Sequence, residues 1–373
     1  MFLALKEIRR AKIRFSLLMG SIGLLVFLIL FQQTLQNGLI TSFVGAIRNQ
    51  SAPVLVYSVD GRVNLQGSVI TPDLASQIAA VDGVAASGQL GQGTFSAQAG
   101  GSTETVGILG YDTEGLGSPD SMVGGRLPTA DGEAVALASA AGDGFDIGDT
   151  VTIEPGGYEI TVVGLAEQIG FQATTTMFTT YPTFEQATTS ANPDATSAPP
   201  AVITLRPESG VSAAELVSRV NDAVPEADAY TRADAAAETP GVAQVQQSFN
   251  IIFLLYGLVI PLVTGLFFLI ITLQKAGSLT LLRAIGVPGS RLVRSLIAQV
   301  VVVLAVGIAI GIALYTPLSR QQLGGIPLSF QTGAVVFWSV LLMVLGVFSS
   351  LFAARRVLAI DPIEATTGAG VGR

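Results

Sequence analysis

The sequence predicts an α-helical membrane protein with four transmembrane helices and a large extracytoplasmic α+β domain inserted between helices 1 and 2. Three observations predict it. First, four apolar runs, opening near Leu17, Ile251, Leu292 and Gly333, are each long enough to cross the roughly 30 Å of hydrocarbon in a bilayer. Second, 24 of the 27 acidic residues fall between Asn37 and Phe249, with 6 arginines and no lysine, a net charge of −18 for that block. Third, residues 1–16, residues 274–294 and the tail after Ala354 hold 12 of the 19 basic residues. Positive charge stays on the cytoplasmic side of short membrane loops. Both termini and the 274–294 loop are therefore assigned to the cytoplasm, and the acidic block to the outside.

Composition excludes several classes of function. The acidic block argues against nucleic-acid binding, which needs basic surface. Cysteine and histidine are both absent. That removes disulfides, thiolate metal sites, the usual general base and the usual haem ligand. The three lysines, Lys6, Lys12 and Lys275, follow Leu5, Ala11 and Gln274, so no glycine loop ends in Gly-Lys-Ser/Thr. The chain has no P-loop, and we expect neither catalytic residues nor a bound metal. The second to fourth spans carry no acid or base, which argues against a proton-coupled transporter.

In order along the chain, the basic opening through Arg14 precedes the apolar run Leu17–Phe31. A signal peptide would end at a small-residue cleavage site, but Gln32, Gln33 and Thr34 follow. Phe27, Phe31, Leu35, Leu39, Phe43 and Ile47 instead repeat every four residues, which predicts a span that continues outward as an amphipathic stalk. That stripe suits dimer or stalk packing. In the exterior block, Pro53–Val59, Glu104–Tyr111, Ala134–Leu137 and Ala201–Arg206 read as strands. Phe145–Ile153 and Tyr158–Leu165 read as a hairpin around Glu154–Gly157, with Glu154 and Glu159 as solvated edge charges. Thr71–Val81 reads as a helix capped by Thr71, and Ser212–Val224 as one opened by the capping box Ser212-x-x-Glu215. Thr188–Pro200 reads as a low-complexity loop. One or two small subdomains are expected.

Val242, Val245, Phe249 and Phe253 then mirror the first stalk, and the second span contains Tyr256 and Pro261. Its cytoplasmic end meets the loop whose Leu279, Leu282 and Ile285 recur at helical spacing, with Lys275 and Arg283 off that stripe. Gly286 reads as the residue just past a helix end, and Pro288 as its stop. This predicts a short amphipathic helix at the cytoplasmic surface, lying on lipid headgroups or docked in a partner's groove. The third span carries Gly307 and Gly311, a small-xxx-small pattern that permits close helix packing. Thr316–Thr332 is an outer loop, Trp338 an expected interface anchor, and Arg355–Arg356 the expected stop of the fourth span. The predicted segments are 1–48 (cytoplasmic start, first span and stalk), 49–241 (exterior domain), 242–273 (stalk and second span), 274–291 (cytoplasmic segment) and 292–373 (third and fourth spans with the tail).

Three stretches resemble the FtsX/MacB-like permeases of ABC transporters: FDIGDTVTI with YEITVVGL, QKAGSLTLLRAIGVPGSRL, and the closing RRVLAIDPIEATTG. The opening MFLALKEIRRAKIRF and TPGVAQVQQSF are similar to the DevC/HrtB branch, which includes haem and glycolipid exporters. The resemblance implies a bacterial cell-membrane efflux permease working as a homodimer. It implies a separate cytoplasmic ATPase subunit that binds ATP and Mg. Lys275, Leu279, Leu282, Arg283, Ile285 and Gly286 would form the segment that couples to that ATPase.

Haem is the leading candidate substrate within that reading, with lipid, lipoprotein or peptide export as alternatives. Signal transmission without transport, and a membrane-anchored sensing module, are the competing functions. The candidate substrate contacts are Phe43 and Phe249 to stack on a ring, Arg48 to pair a propionate, and Tyr256 to approach iron, since Tyr can ligate haem. The same residues are also explained by stalk packing and an interfacial aromatic belt.

Overall fold

The computed structural model describes residues 12–112, 115–195, 197–274, 287–323 and 326–358. It contains four helices long and apolar enough to span a membrane, and the sheet-rich domain lies between the first and second. The chain divides into two compact units. One comprises Met1–Gln36, Ser248–Gln321 and Leu328–Arg373; the other comprises Asn37–Gln247 with Gln322–Pro327.

The membrane unit is built on α1 (Lys12–Arg48), whose inner part belongs here. Phe15, Leu18, Ile22, Val26 and Ile29 of α1 are buried at three- and four-residue spacing, while Ile13, Leu17, Leu24 and Leu28 on the other faces are exposed. Lipid tails are as apolar as leucine, so burial alone does not hold helices together in a bilayer; close packing and hydrogen bonds between helices do. Both are present. A Cβ at Gly307 would stand 2.6 Å from Ile22 Cγ2, and one at Gly311 would stand 2.7 Å from the Gly23 carbonyl oxygen. The small-residue pattern of the third span therefore seats that helix against the first. The Thr34 hydroxyl and the Tyr315 hydroxyl lie 2.6 Å apart, and Ser349 donates to the Pro261 carbonyl at 2.7 Å. Trp338 is only 6% exposed, packs on Phe253 and Phe337, and points its Nε1 at Gln33. It is a buried strut of the bundle rather than the interfacial anchor expected from its position. The fourth long helix is Thr332–Leu358.

Residues 37–247 of the exterior unit form one continuous sheet. Its strands are β1 (Val54–Ser58), β2 (Val84–Ala99), β3 (Ser102–Tyr111), β4 (Met122–Gly125), β5 (Glu133–Leu137), β6 (Thr150–Ile153), β7 (Tyr158–Ala166), β8 (Thr175–Thr180), β9 (Val202–Pro207) and β10 (Ala227–Thr231). They lie in the order β10-β1-β9-β2-β3-β8-β5-β7-β4, with β6 pairing both β2 and β7. The 16-residue β2 makes the sheet continuous: its first half pairs with β9 and its second half with β3. Alternation along β1 sends Val54 and Val56 to one face, under α2 (Pro72–Ala79) and α4 (Ala213–Ala223), and Leu55 and Tyr57 to the other. The second half of the sheet buries Phe145, Val151, Ile160 and Met177 with Phe184 of α3 (Tyr181–Ala191).

The hairpin β6–β7 forms around Glu154–Gly157, with Val151 opposite Ile160. Only Thr150–Ile153 of the expected 145–153 strand is extended; the backbone turns earlier, with Asp146 N–H bonded to Asp149 and Gly148 at φ +101°. Thr71, Thr180, Ser212 and Thr231 accept from the N–H groups of Leu74, Thr183, Glu215 and Asp234, so these four helix starts are capped by side chains. The capping box is half used, because the Glu215 carboxylate binds Arg219. α3 continues to Ala191, so Thr188–Ala191 is helical rather than loop.

Candidate functional site

The exterior unit contains a cleft of about 360 Å³ where the chain enters and leaves it. One side is the outer part of α1, through Leu39, Ile40, Phe43 and Val44. The other is the Thr239–Gly241 turn with Val242 and Val245, which open α6 (Val242–Gln274) after α5 (Arg232–Glu238). Gly241 has φ +92°, a value only glycine adopts freely, and Pro240 precedes it; together they set the turn. Val44, Leu65, Phe171 and Val242 are buried in the domain core, and Phe43 stands 45% exposed at the rim.

Two loops from elsewhere in the sequence close the remaining walls. The first contributes Asn64 and Leu65, and the second Phe171 and Gln172. The second is locked to α1 by backbone hydrogen bonds, from Ala46 N–H to the Gly170 carbonyl (3.0 Å), Gln172 N–H to Phe43 (3.0 Å) and Ala173 N–H to Ser42 (2.8 Å). Such contact needs small residues: a Cβ on Gly45 would lie 2.4 Å from the Gln168 carbonyl oxygen. The apolar stalk stripe is split at this end of α1, Ile47 packing into the domain core and Phe43 standing outside it. Thr41, Ser42, Gly45 and Ala46 are buried there, while Phe43 of the stripe is exposed and Ile47 is buried.

Both loops are strained. Among the described residues, the non-glycine positions with positive φ are Arg62 (48°), Val63 (58°), Gln168 (57°), Gln172 (51°) and Ala173 (57°). All five lie in the two loop segments, and Gln172 is itself part of the lining. Left-handed backbone costs roughly 1–2 kcal/mol per non-glycine residue, and more for a β-branched one such as Val63. Strain of that kind persists only where the surroundings impose it, and it concentrates at binding and switch sites. The Asn64 side chain accepts from Gln66 N–H, and Gln66 Nε2 donates across to Gln172 Oε1 at 2.9 Å, tying one wall to the other.

Among the described residues, the lining holds no ionisable side chain and only Asn64, Gln172 and Thr239 with polar ends. Nearby, Tyr57 is fully buried in the same core, its hydroxyl has no hydrogen-bond partner, and burial together with Tyr230 pushes its pKa up.

Of the four residues expected to meet substrate, Phe43 and Arg48 belong to the exterior unit and Phe249 and Tyr256 to the membrane unit. Phe43 is on the cleft rim. Arg48, the last residue of α1, is exposed and outside the lining. Phe249 and Tyr256 belong to the membrane unit, where Phe249 is buried against Phe253 and Tyr256 packs on the helix core. Lys275, Leu279, Leu282, Arg283, Ile285 and Gly286 lie outside the described residues. Leu65, Phe171 and Gln172 carried no recognisable signal, because their loops depend on left-handed backbone at residues that do not advertise it.

No protein-family model matches the chain. It is 21% identical over 371 residues to the putative hemin transport system permease protein HrtB of Staphylococcus haemolyticus, spanning 99% of each chain. It is 25% identical over 370 residues to an uncharacterized ABC transporter permease, Rv0072, of Mycobacterium tuberculosis, again spanning 99% of each. The periplasmic region of MacB from Actinobacillus actinomycetemcomitans aligns at 13% identity and a TM-score of 0.36, covering 50% of this chain and 91% of that one; so loose a likeness carries no part of the assignment. The chain is thus similar along its whole length to ABC-transporter permeases, and it carries four helices long and apolar enough to span a membrane with a sheet domain between the first two.

Proposed function

We propose that the chain is the transport subunit of an efflux complex in a bacterial cell membrane. It would act as a homodimer whose cytoplasmic ATPase partner binds ATP and Mg and drives export of an amphiphile. The observation that carries this reading is the apolar cleft, walled by strained loops, where the chain enters and leaves the exterior unit. A permease that only transmitted motion would have no need of it.

Haem is the first candidate substrate, on the strength of the relative described as a hemin permease. Phe43, Arg48, Phe249 and Tyr256 remain its candidate contacts on chemical grounds. The cleft itself favours a second candidate, a lipid-like molecule, because none of its lining residues can pair a propionate or ligate iron. Within the complex, the segment from Lys275 to Gly286 is the coupling element, with Arg283 on its polar side.

The test is ATPase stimulation in the purified complex by haem and by a lipid amphiphile. We expect one of them to stimulate, and Arg283→Glu to abolish the stimulation while leaving a folded complex, since reversing one exposed charge costs little stability. Failure of every amphiphile to stimulate would favour pure signal transmission. Undiminished stimulation in Arg283→Glu would remove that residue from the coupling element.

A further inference from the structure

We propose that the cleft between the outer part of α1 and the start of α6 is a binding site for one uncharged alkyl chain. This rests on the exporter reading for its purpose, but its geometry stands alone. The walls are aliphatic: Leu39, Ile40, Val44, Leu65, Val242 and Val245, with two phenylalanine rings and no ionisable group among the described lining residues. A charged head pushed among them would lose its hydration without a partner, whereas an alkyl chain loses only water contact. The domain around the cleft carries a net charge of −18, which further disfavours an anion. At about 360 Å³ the space lies near the lower end of the roughly 300–1,000 Å³ typical of small-molecule sites, suited to one chain rather than a bulky ligand.

The cleft is also held open by construction. Hydrogen bonds from the Phe171-bearing loop to α1 fix one wall, an Asx turn at Asn64 shapes the other, and the Gln66–Gln172 bridge ties them together. Five left-handed non-glycine residues maintain those two loops, although relaxed turns with glycine would cost less. A core that needed only to be filled would have no reason to keep this strained frame around a void. Deleting the exposed bridge by Gln66→Ala frees the rim without touching the apolar walls.

The experiment uses the full-length chain in phosphatidylcholine nanodiscs. Two photoactivatable probes carry a diazirine on an alkyl chain: a free long-chain alcohol, and phosphatidylcholine labelled in its acyl tail. Mass spectrometry locates the adducts. We expect adducts on Leu65 and Phe171 with at least one probe, competed away by unlabelled alcohol. Apparent affinity for a series of alcohols should rise about three- to fourfold per added methylene until the cleft is full. The corresponding carboxylate should bind less well than the alcohol. Val245→Trp should block the adducts by filling the space, and Gln66→Ala should speed them. Labelling by the phospholipid probe identifies a membrane lipid as the source of the chain; labelling by the alcohol alone identifies a free amphiphile. Adducts at Leu65 and Phe171 no more frequent than at the exposed Val123, or not competed by unlabelled alcohol, would overturn the proposal. Competition needs no variant, so a poorly folded Val245→Trp would not blunt the test. Labelling without ATPase stimulation keeps the site and sinks the exporter reading; stimulation without labelling does the reverse.

Discussion

The contact of the first and third spans makes a sharp prediction. A methyl group at Gly311 would stand 2.6 Å from Val26 Cβ and 2.7 Å from the Gly23 carbonyl oxygen, where ordinary contacts of a Cβ are 3.4–4 Å. Neither can rotate away, since Val26 Cβ is fixed to its own backbone and the Gly23 oxygen is backbone. Gly311→Ala must therefore push the two helices apart by most of an ångström. Overpacking of this kind costs about 1–3 kcal/mol. Alanine's better helix propensity returns about 0.5–1 kcal/mol, leaving a net loss of about 1–2 kcal/mol. At about 2–4 °C per kcal/mol for a unit of this size, Tm should fall by roughly 2–8 °C. Gly20 on the same first helix has nothing within 4 Å of its would-be Cβ, so Gly20→Ala meets no clash and should hold or slightly raise Tm. The assay is built in. Trp338 is the single tryptophan and is buried in the membrane unit, so its fluorescence on heating reports that unit alone. If Gly311→Ala melts at or above the wild-type temperature, the close contact of these helices is wrong.

Two further predictions concern the exterior domain. Tyr57 buries a hydroxyl without a partner, so Tyr57→Phe should leave stability unchanged or raise it by about 1 kcal/mol in circular-dichroism melts; a clear loss would mean that the hydroxyl is bonded. Glu133 accepts hydrogen bonds from Arg126 first and from the Thr129 and Ala130 N–H groups, which together lower its pKa from 4.5 to about 2. A depressed carboxyl stabilises the fold above its unfolded pKa and loses that contribution as pH falls through its folded one. The wild type should therefore lose stability between about pH 4.5 and pH 2 more steeply than Glu133→Gln, and equal slopes for the two proteins would refute the role.

Much of this protein was legible in its sequence because the bilayer is a strict solvent. A span must be about twenty residues of apolar helix, and the acidic block and basic loops sort to opposite sides, so four spans and one exterior domain followed from hydropathy and charge. Local capping was equally readable, since Thr71 and Ser212 act within their own first turns. Gly307 and Gly311 announced a close contact, but only the structure supplied Gly23 and Ile22 as the partner surface. Trp338 illustrates the limit in the opposite direction: its position near a span end suggested an interface, whereas packing on Phe253 and a reach to Gln33 buried it.

Of the cleft, the sequence singled out Phe43 alone. The expected group of Phe43, Arg48, Phe249 and Tyr256 rested on nearness along two helices. The cleft is completed by Leu65 and Phe171, which lie more than a hundred residues apart, the loop of Phe171 being bonded to α1 through its backbone. Sequence periodicity registers the face of one element, whereas a cavity is a property of surfaces brought together from several. The sequence by itself determined the membrane topology, the acidic exterior and the absence of a P-loop. Tertiary structure decided where the strained loops converge, because left-handed backbone at Val63, Gln172 and Ala173 is imposed by neighbours and not by the residues themselves.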